Sequence, residues 1–399
     1  MPSSNTRLSI ADEKKYVGLL FFFFAFEIMS WVPRFPEVKA NLGLSNGEFG
    51  TYLSFGSVGA VLALLSSGHF VHKFGARKVL IISTVTMCLA IGTVVHLQSA
   101  LIFIFVNIIN GASISFFNTA LNAQAFHAQD RAGELILSRQ HGYWTIGAVA
   151  TAIFSGFMVE FVGIALHINV LSVVVFFIIL SIIKKLEPEM IKPSPEDDSD
   201  FGFKDLFTSF RVDYLVSAAL VCGIMVEFAT ADWSAIYSKE TIGVRGSLAT
   251  IPYILTFSAM IVGRLGQHRI TPYVSLQQQI KYGSVIGGVG FIGFILASSV
   301  LVDHSKTAAY ICTLIGFSIG GFFSAILSPT FFTAANKRSS QPSAVVVGQM
   351  GVINAILTAI VKTIVAWTAQ LTGSIAIAMI IPGLLLISVA FMSRVAKDL

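Results

Sequence analysis

The chain has 399 residues, 55% of them hydrophobic and only 12% charged, with a formal net charge of +5. A mean hydropathy of +0.79 and about half the charge density of an average soluble chain exclude an ordinary water-soluble domain and point to a polytopic membrane protein. The basic excess does not mark a nucleic-acid binder, because Lys and Arg are spread among short loops.

A bilayer-crossing helix needs about 20 mainly apolar residues. In chain order that rule predicts spans near 15–34, 48–70, 78–97, 100–125, 140–161 and 163–184, then 212–237, 247–266, 279–300, 307–333, 343–369 and 373–394. The expected fold class is therefore an all-α polytopic membrane protein of twelve transmembrane helices in two pseudo-symmetric six-helix bundles, 15–184 and 212–394. Tails at 1–14 and 395–399 and a Pro-rich, acidic linker at 185–211 complete the chain. No small-residue cleavage site follows the first apolar run, which reads as a retained span.

Of the 26 Lys and Arg residues, 20 fall on one side of this topology and 5 on the other, with Lys362 inside a span. The positive-inside rule then puts both termini in the cytoplasm of a cell whose inner membrane holds the protein. The three cysteines, Cys88, Cys222 and Cys312, lie singly in apolar runs and read as packing residues. No metal spacing, nucleophile–base arrangement or phosphate loop is visible, so no enzyme, cofactor or metal is expected.

Ionisable residues inside apolar spans are costly and mark functional sites. Glu27 interrupts span one ahead of Trp31 and Arg34, which an unbroken helix would place on the same face at i+4 and i+7. Glu227 interrupts span seven ahead of Asp232 and Trp233, residues that shape either a site or an outer gate. Leu42-Gly43 and Ile242-Gly243 enter the second span of each half, a weak internal repeat. Span four groups Asn107, Asn110, Gly111, Ser115, Asn118 and Asn122 within an arc of roughly 140° at 100° per residue. That stripe lines a cavity or makes interhelical hydrogen bonds. Lys362 shares a stripe with Gly351, Asn354 and Thr358 in span eleven, and its expected partner is Glu27 or Glu227. It reads as a ligand for a solute anion or as a structural counter-ion. His141 and Trp144 in span five divide similarly between function and packing.

After span two the chain reads Gly68-His69-Phe70-Val71-His72-Lys73-Phe74-Gly75-Ala76-Arg77-Lys78. This resembles the signature loop of the major facilitator superfamily, with His72 where that family carries Asp. Trp31 to Pro36, Asn122 to Ala125, His141-Gly142, Ala231 to Ser234 and Met260 to Leu265 further resemble a bacterial branch, the YbjJ-type carriers. Asn118 stands where that branch carries Asp, and the glycine–proline motif of drug–proton antiporters is absent from span five. The resemblance implies two bundles rocking around a midplane site, and it assigns Gly68, His72, Lys73, Gly75, Arg77, Lys78 and Arg264 to gating and topology. It implies secondary transport of a small solute by a monomer in the lipid bilayer; the two mid-membrane acids themselves make proton coupling through Glu27, Glu227 or both the expectation. An uncoupled uniporter, or a receptor or scaffold on the same fold, is the alternative.

Overall fold

The computed structural model describes residues 8–133, 136–193, 213–339 and 343–397. The acidic run from Glu196 to Asp200, and most of the expected linker, lie outside the described residues. Every described regular element is helical, as a bilayer demands: backbone N–H and C=O groups in hydrocarbon must be satisfied within their own segment.

The first half comprises α1 (Ile10–Ile28), α2 (Phe35–Leu42), α3 (Asn46–Ser54), α4 (Gly56–Val94), α5 (Ala100–Ala132), α6 (Leu137–Met158) and α7 (Ile164–Leu186). The second comprises α8 (Tyr214–Tyr237), α9 (Ile251–Ile270), α10 (Leu276–Leu301), α11 (Lys306–Ser324), α12 (Leu327–Arg338), α13 (Ser343–Thr372), α14 (Ile375–Ala378) and α15 (Ile380–Met392). Ten stretches among the described residues are long and apolar enough to cross a membrane. One of them, Asn46–Val94, includes α4, which is two helices joined across the bend at Gly75; α6, at 22 residues, has membrane length but is not among the ten. Bulky apolar side chains such as Leu89, Phe105, Phe177 and Phe391 stand exposed, as lipid-facing positions do.

Local chemistry sets the helix ends. Ser9, Asp213, Ser275 and Ser305 each accept a backbone N–H from the first turn of α1, α8, α10 and α11. Gly43 and Gly243, the echoed pair, both close their segments in the left-handed conformation, at φ 64° and 76°.

Two compact units emerge from packing. The first contains Met1–Trp31, Phe55–Phe154 and Val162–Ser209; the second contains Val32–Ser54, Ser155–Phe161 and Phe210–Leu399. In the second unit, segments from the first half of the chain are fastened to the second half by named bonds. Lys39 pairs with Glu240 at 2.7 Å, Gln370 accepts from the Asn46 amide at 3.1 Å, and Trp367 donates to Thr51 at 3.0 Å. Glu160 accepts from the backbone and side chain of Ser247 at 3.0 and 2.9 Å.

Candidate functional site

Span one is not the continuous helix expected. α1 stops at Ile28, a turn carries Trp31, and Val32–Arg34 forms a 3-10 turn before Pro36 opens α2. Proline near the start of α2 suits a new helix and not the continuation of an old one. Arg34 and Trp31 therefore do not share a helical face with Glu27. Arg34, fully buried, is held by Glu37 at 3.0 Å and the Met158 carbonyl at 2.9 Å. Glu27, also fully buried, accepts from the Ser172 hydroxyl of α7 at 2.6 Å, with the Cys88 thiol of α4 beside it. Its second oxygen has no hydrogen-bond partner among the described residues. Ser172 was not singled out by sequence and Cys88 was read only as a packing residue; no local spacing links them to Glu27.

The polar stripe of α5 divides between packing and open polar groups. Gly111 is pressed onto the backbone of Gly56, where an added Cβ would lie 1.9 Å from a carbonyl oxygen, and Asn107 borders the same crossing. Asn122 donates to the Asn118 side chain at 3.0 Å, while the buried Asn110 oxygen is unpartnered. His141 is exposed, its ring tilted at 58° to that of Phe21 with centroids 5.1 Å apart; Trp144 is half-buried on α6.

The densest polar arrangement lies in the second unit. Lys362 of α13 pairs with Asp232 of α8 at 2.8 Å, and its ammonium sits 5.5 Å from the Phe228 ring centroid. The expected partners, Glu27 and Glu227, are thus replaced by Asp232. One and two helical turns from Lys362, the Thr358 hydroxyl and the Asn354 carbonyl oxygen are buried without partners. Trp233, nearly fully buried, packs at the edge of the same cavity, whose free volume of about 10 Å³ is close to one water.

Glu227 forms no ion pair among the described residues; Arg264 and Tyr253, both of α9, bear on it electrostatically. The Tyr253 hydroxyl is buried without a partner. Arg264 donates through Nε to the Ala325 carbonyl at 2.9 Å. That carbonyl lies four residues before Pro329, which has no N–H to return the helical bond. Span ten accordingly breaks into α11 and α12 at Ala325–Ile326, and Arg264 takes the freed oxygen.

The expected signature loop is a bent helix rather than a loop: α4 runs through it and breaks only at Gly75, at φ 79° and ψ 156°. Gly68 is open to solvent-sized space, and His72, Lys73, Arg77 and Lys78 are exposed. Gly75 abuts the Ile191 carbonyl, which accepts from the Ala76 amide at 3.1 Å, and Arg77 pairs with Glu187 at 3.2 Å. Gln124 donates to the Glu189 carbonyl and accepts from the Ile191 amide, and Arg131 bridges Glu13 and Glu189. The segment after α7 is thereby bound to the bend. Glu13 and Glu189 escaped sequence reasoning, and Gln124 entered it only as part of a family segment, because their partners lie far away along the chain.

Comparison with known proteins follows the same line. The model of the Major Facilitator Superfamily matches residues 17–361. An uncharacterised MFS-type transporter of Yersinia pestis is 26% identical over 382 residues, covering 94% of each chain. A cis,cis-muconate transport protein of Acinetobacter baylyi is 21% identical, covering 88% of each. The crystal structure of a D-xylose–proton symporter superposes with a TM-score of 0.67 at 14% identity, over 96% of both chains, a likeness of fold.

Proposed function

This chain belongs to the Major Facilitator Superfamily, and on that premise we propose that it moves a small polar organic solute across the cytoplasmic membrane by alternating access, as a monomer with both termini in the cytoplasm. As a member it is a multi-pass membrane transporter and not an enzyme. The observation that carries the reading of this chain is the buried polar ladder of the second unit. Lys362 and Asp232 pair among apolar helices, and on the same helix as Lys362 the Thr358 and Asn354 side-chain oxygens are buried without partners. Buried oxygens left without partners cost about 1–3 kcal/mol each, a cost that a bound solute removes.

Coupling to protons is assigned to Glu27 and Glu227. Neither carboxyl has a cation in direct contact among the described residues, unlike Asp232. A carboxyl at membrane depth crosses closed states most cheaply when neutral, and a proton neutralises it without a second solute. The names of two similar proteins, a muconate transport protein and a xylose–proton symporter, support solute transport and coupling without identifying the solute.

The test is a ligand-stabilisation screen on purified protein, followed by counterflow of each hit in proteoliposomes. The expected result is saturable exchange of at least one small polar solute. Specific binding with no exchange by folded protein would instead favour a receptor.

A further inference from the structure

The Lys362–Asp232 pair lies directly below a tight crossing of helices. Gly50 of α3 is packed so closely on α13 and α8 that an added Cβ would lie 2.3 Å from the Ala366 Cβ and 3.0 Å from the Trp233 ring. Ala366 is one turn from Lys362 and Trp233 is adjacent to Asp232, so the pair sits just under this closure. In the same unit the Lys39–Glu240, Gln370–Asn46 and Trp367–Thr51 bonds lie on the other side of it.

A buried ion pair is weak evidence for stability, because two apolar residues of similar volume usually serve as well. Its surroundings here are unlike a purely structural pair. The cation has an aromatic face beside it, and the helix that carries it continues into two buried oxygens with no partner. Thr358, only 5% exposed, carries a buried hydroxyl that offers both a donor and an acceptor. The cavity beside the pair holds no more than about one water, so a solute reaching Lys362 must displace something. The group it meets there is the Asp232 carboxylate.

We propose that Asp232 stands in for the substrate: the transported solute is a small organic carboxylate whose anionic group replaces Asp232 on Lys362, with Thr358 and Asn354 meeting its polar remainder. This deepens the transport reading and rests on it. Only an anion can take the place of the Asp232 carboxylate on Lys362, and the displaced Asp232, left buried without its cation, takes up a proton from water, so that the site stays neutral while the anion is bound. Phe228 accommodates a planar or apolar carbon skeleton next to the charge. Displacement of Asp232 also loosens the helix pair beneath the Gly50 crossing, which ties occupancy to the closure.

The experiment measures binding by thermal stabilisation and exchange by counterflow. The probes are adipate, cis,cis-muconate and benzoate, against xylose and uridine as neutral solutes. Wild-type protein is expected to bind a carboxylate and ignore the neutral solutes. Lys362→Met should weaken that binding at least about tenfold, the usual cost of deleting one partner of a charged contact. Asp232→Asn should tighten it by about threefold or more, because the internal competitor is gone. The double variant, Asp232→Asn with Lys362→Met, removes both charges and serves as the folded control that binds no carboxylate. Neutral solutes bound and exchanged while carboxylates are ignored would overturn the carboxylate inference and leave transport standing. Equal weakening in both single variants, or no carboxylate binding at all, would also overturn it. Carboxylate binding without counterflow would contradict the transport reading alone.

Discussion

At the scale of single residues, the sequence located the ionisable groups and missed how they pair. Glu227 and Asp232 lie five positions apart on α8, about 140° around the helix. One therefore turns toward Arg264 and Tyr253 of α9 and the other toward Lys362 of α13. Which faces which depends on the rotation of α8, a tertiary quantity that no local spacing encodes. Glu27 makes the same point, since Ser172 is 145 residues away. The two unpaired carboxyls make a direct prediction. Glu227→Gln or Glu27→Gln should lower uphill uptake by at least about tenfold while counterflow persists, because exchange needs no net proton release. Both activities falling together with lost stability would mark the acids as structural. Unchanged uphill transport in both mutants, singly and combined, would sink coupling at these positions.

At the scale of elements, hydropathy placed the helices well, and their interruptions were the harder part. Pro36 and Pro329 both sit inside apolar runs that read as one span, and both open a new helix. The Gly75 bend was legible as a motif yet not as a helix break held by Ile191. The α11–α12 break yields a double-mutant test. Arg264→Ala leaves the Ala325 carbonyl without its donor and is expected to cost about 1–3 kcal/mol of stability. In a Pro329→Ala background the helix regains the N–H that serves this carbonyl, so the same substitution should cost much less. Chemical denaturation of the four proteins in detergent measures the coupling. Additive losses would show that Arg264 does not serve the break.

At the scale of the molecule, the membrane-length helices were readable because each lies in a largely apolar run, and the helical fold of the described residues followed from the bilayer's demand for satisfied backbone groups. The grouping of Val32–Ser54 and Ser155–Phe161 with the second unit was not readable, because it is set by contacts such as Lys39–Glu240 across 201 positions. Orientation rests on the distribution of basic residues. Cysteine tags in 188–200 are therefore expected to label from the cytoplasm and tags near Asp303 from outside, in intact cells. Reversed labelling would invert the proposed topology.

Alternating access is the central claim, and paired distance probes test it most directly. One pair, at Lys39 and Glu240, reports whether that ion pair stays closed. A second pair joins Lys73, in the exposed basic segment of α4, to Arg269, in the last turn of α9. Electron–electron distance measurements in lipid nanodiscs, with and without a solute that shows counterflow, should find one pair separating as the other approaches. Both distances increasing together on binding, or neither changing while the solute is exchanged, would contradict the account.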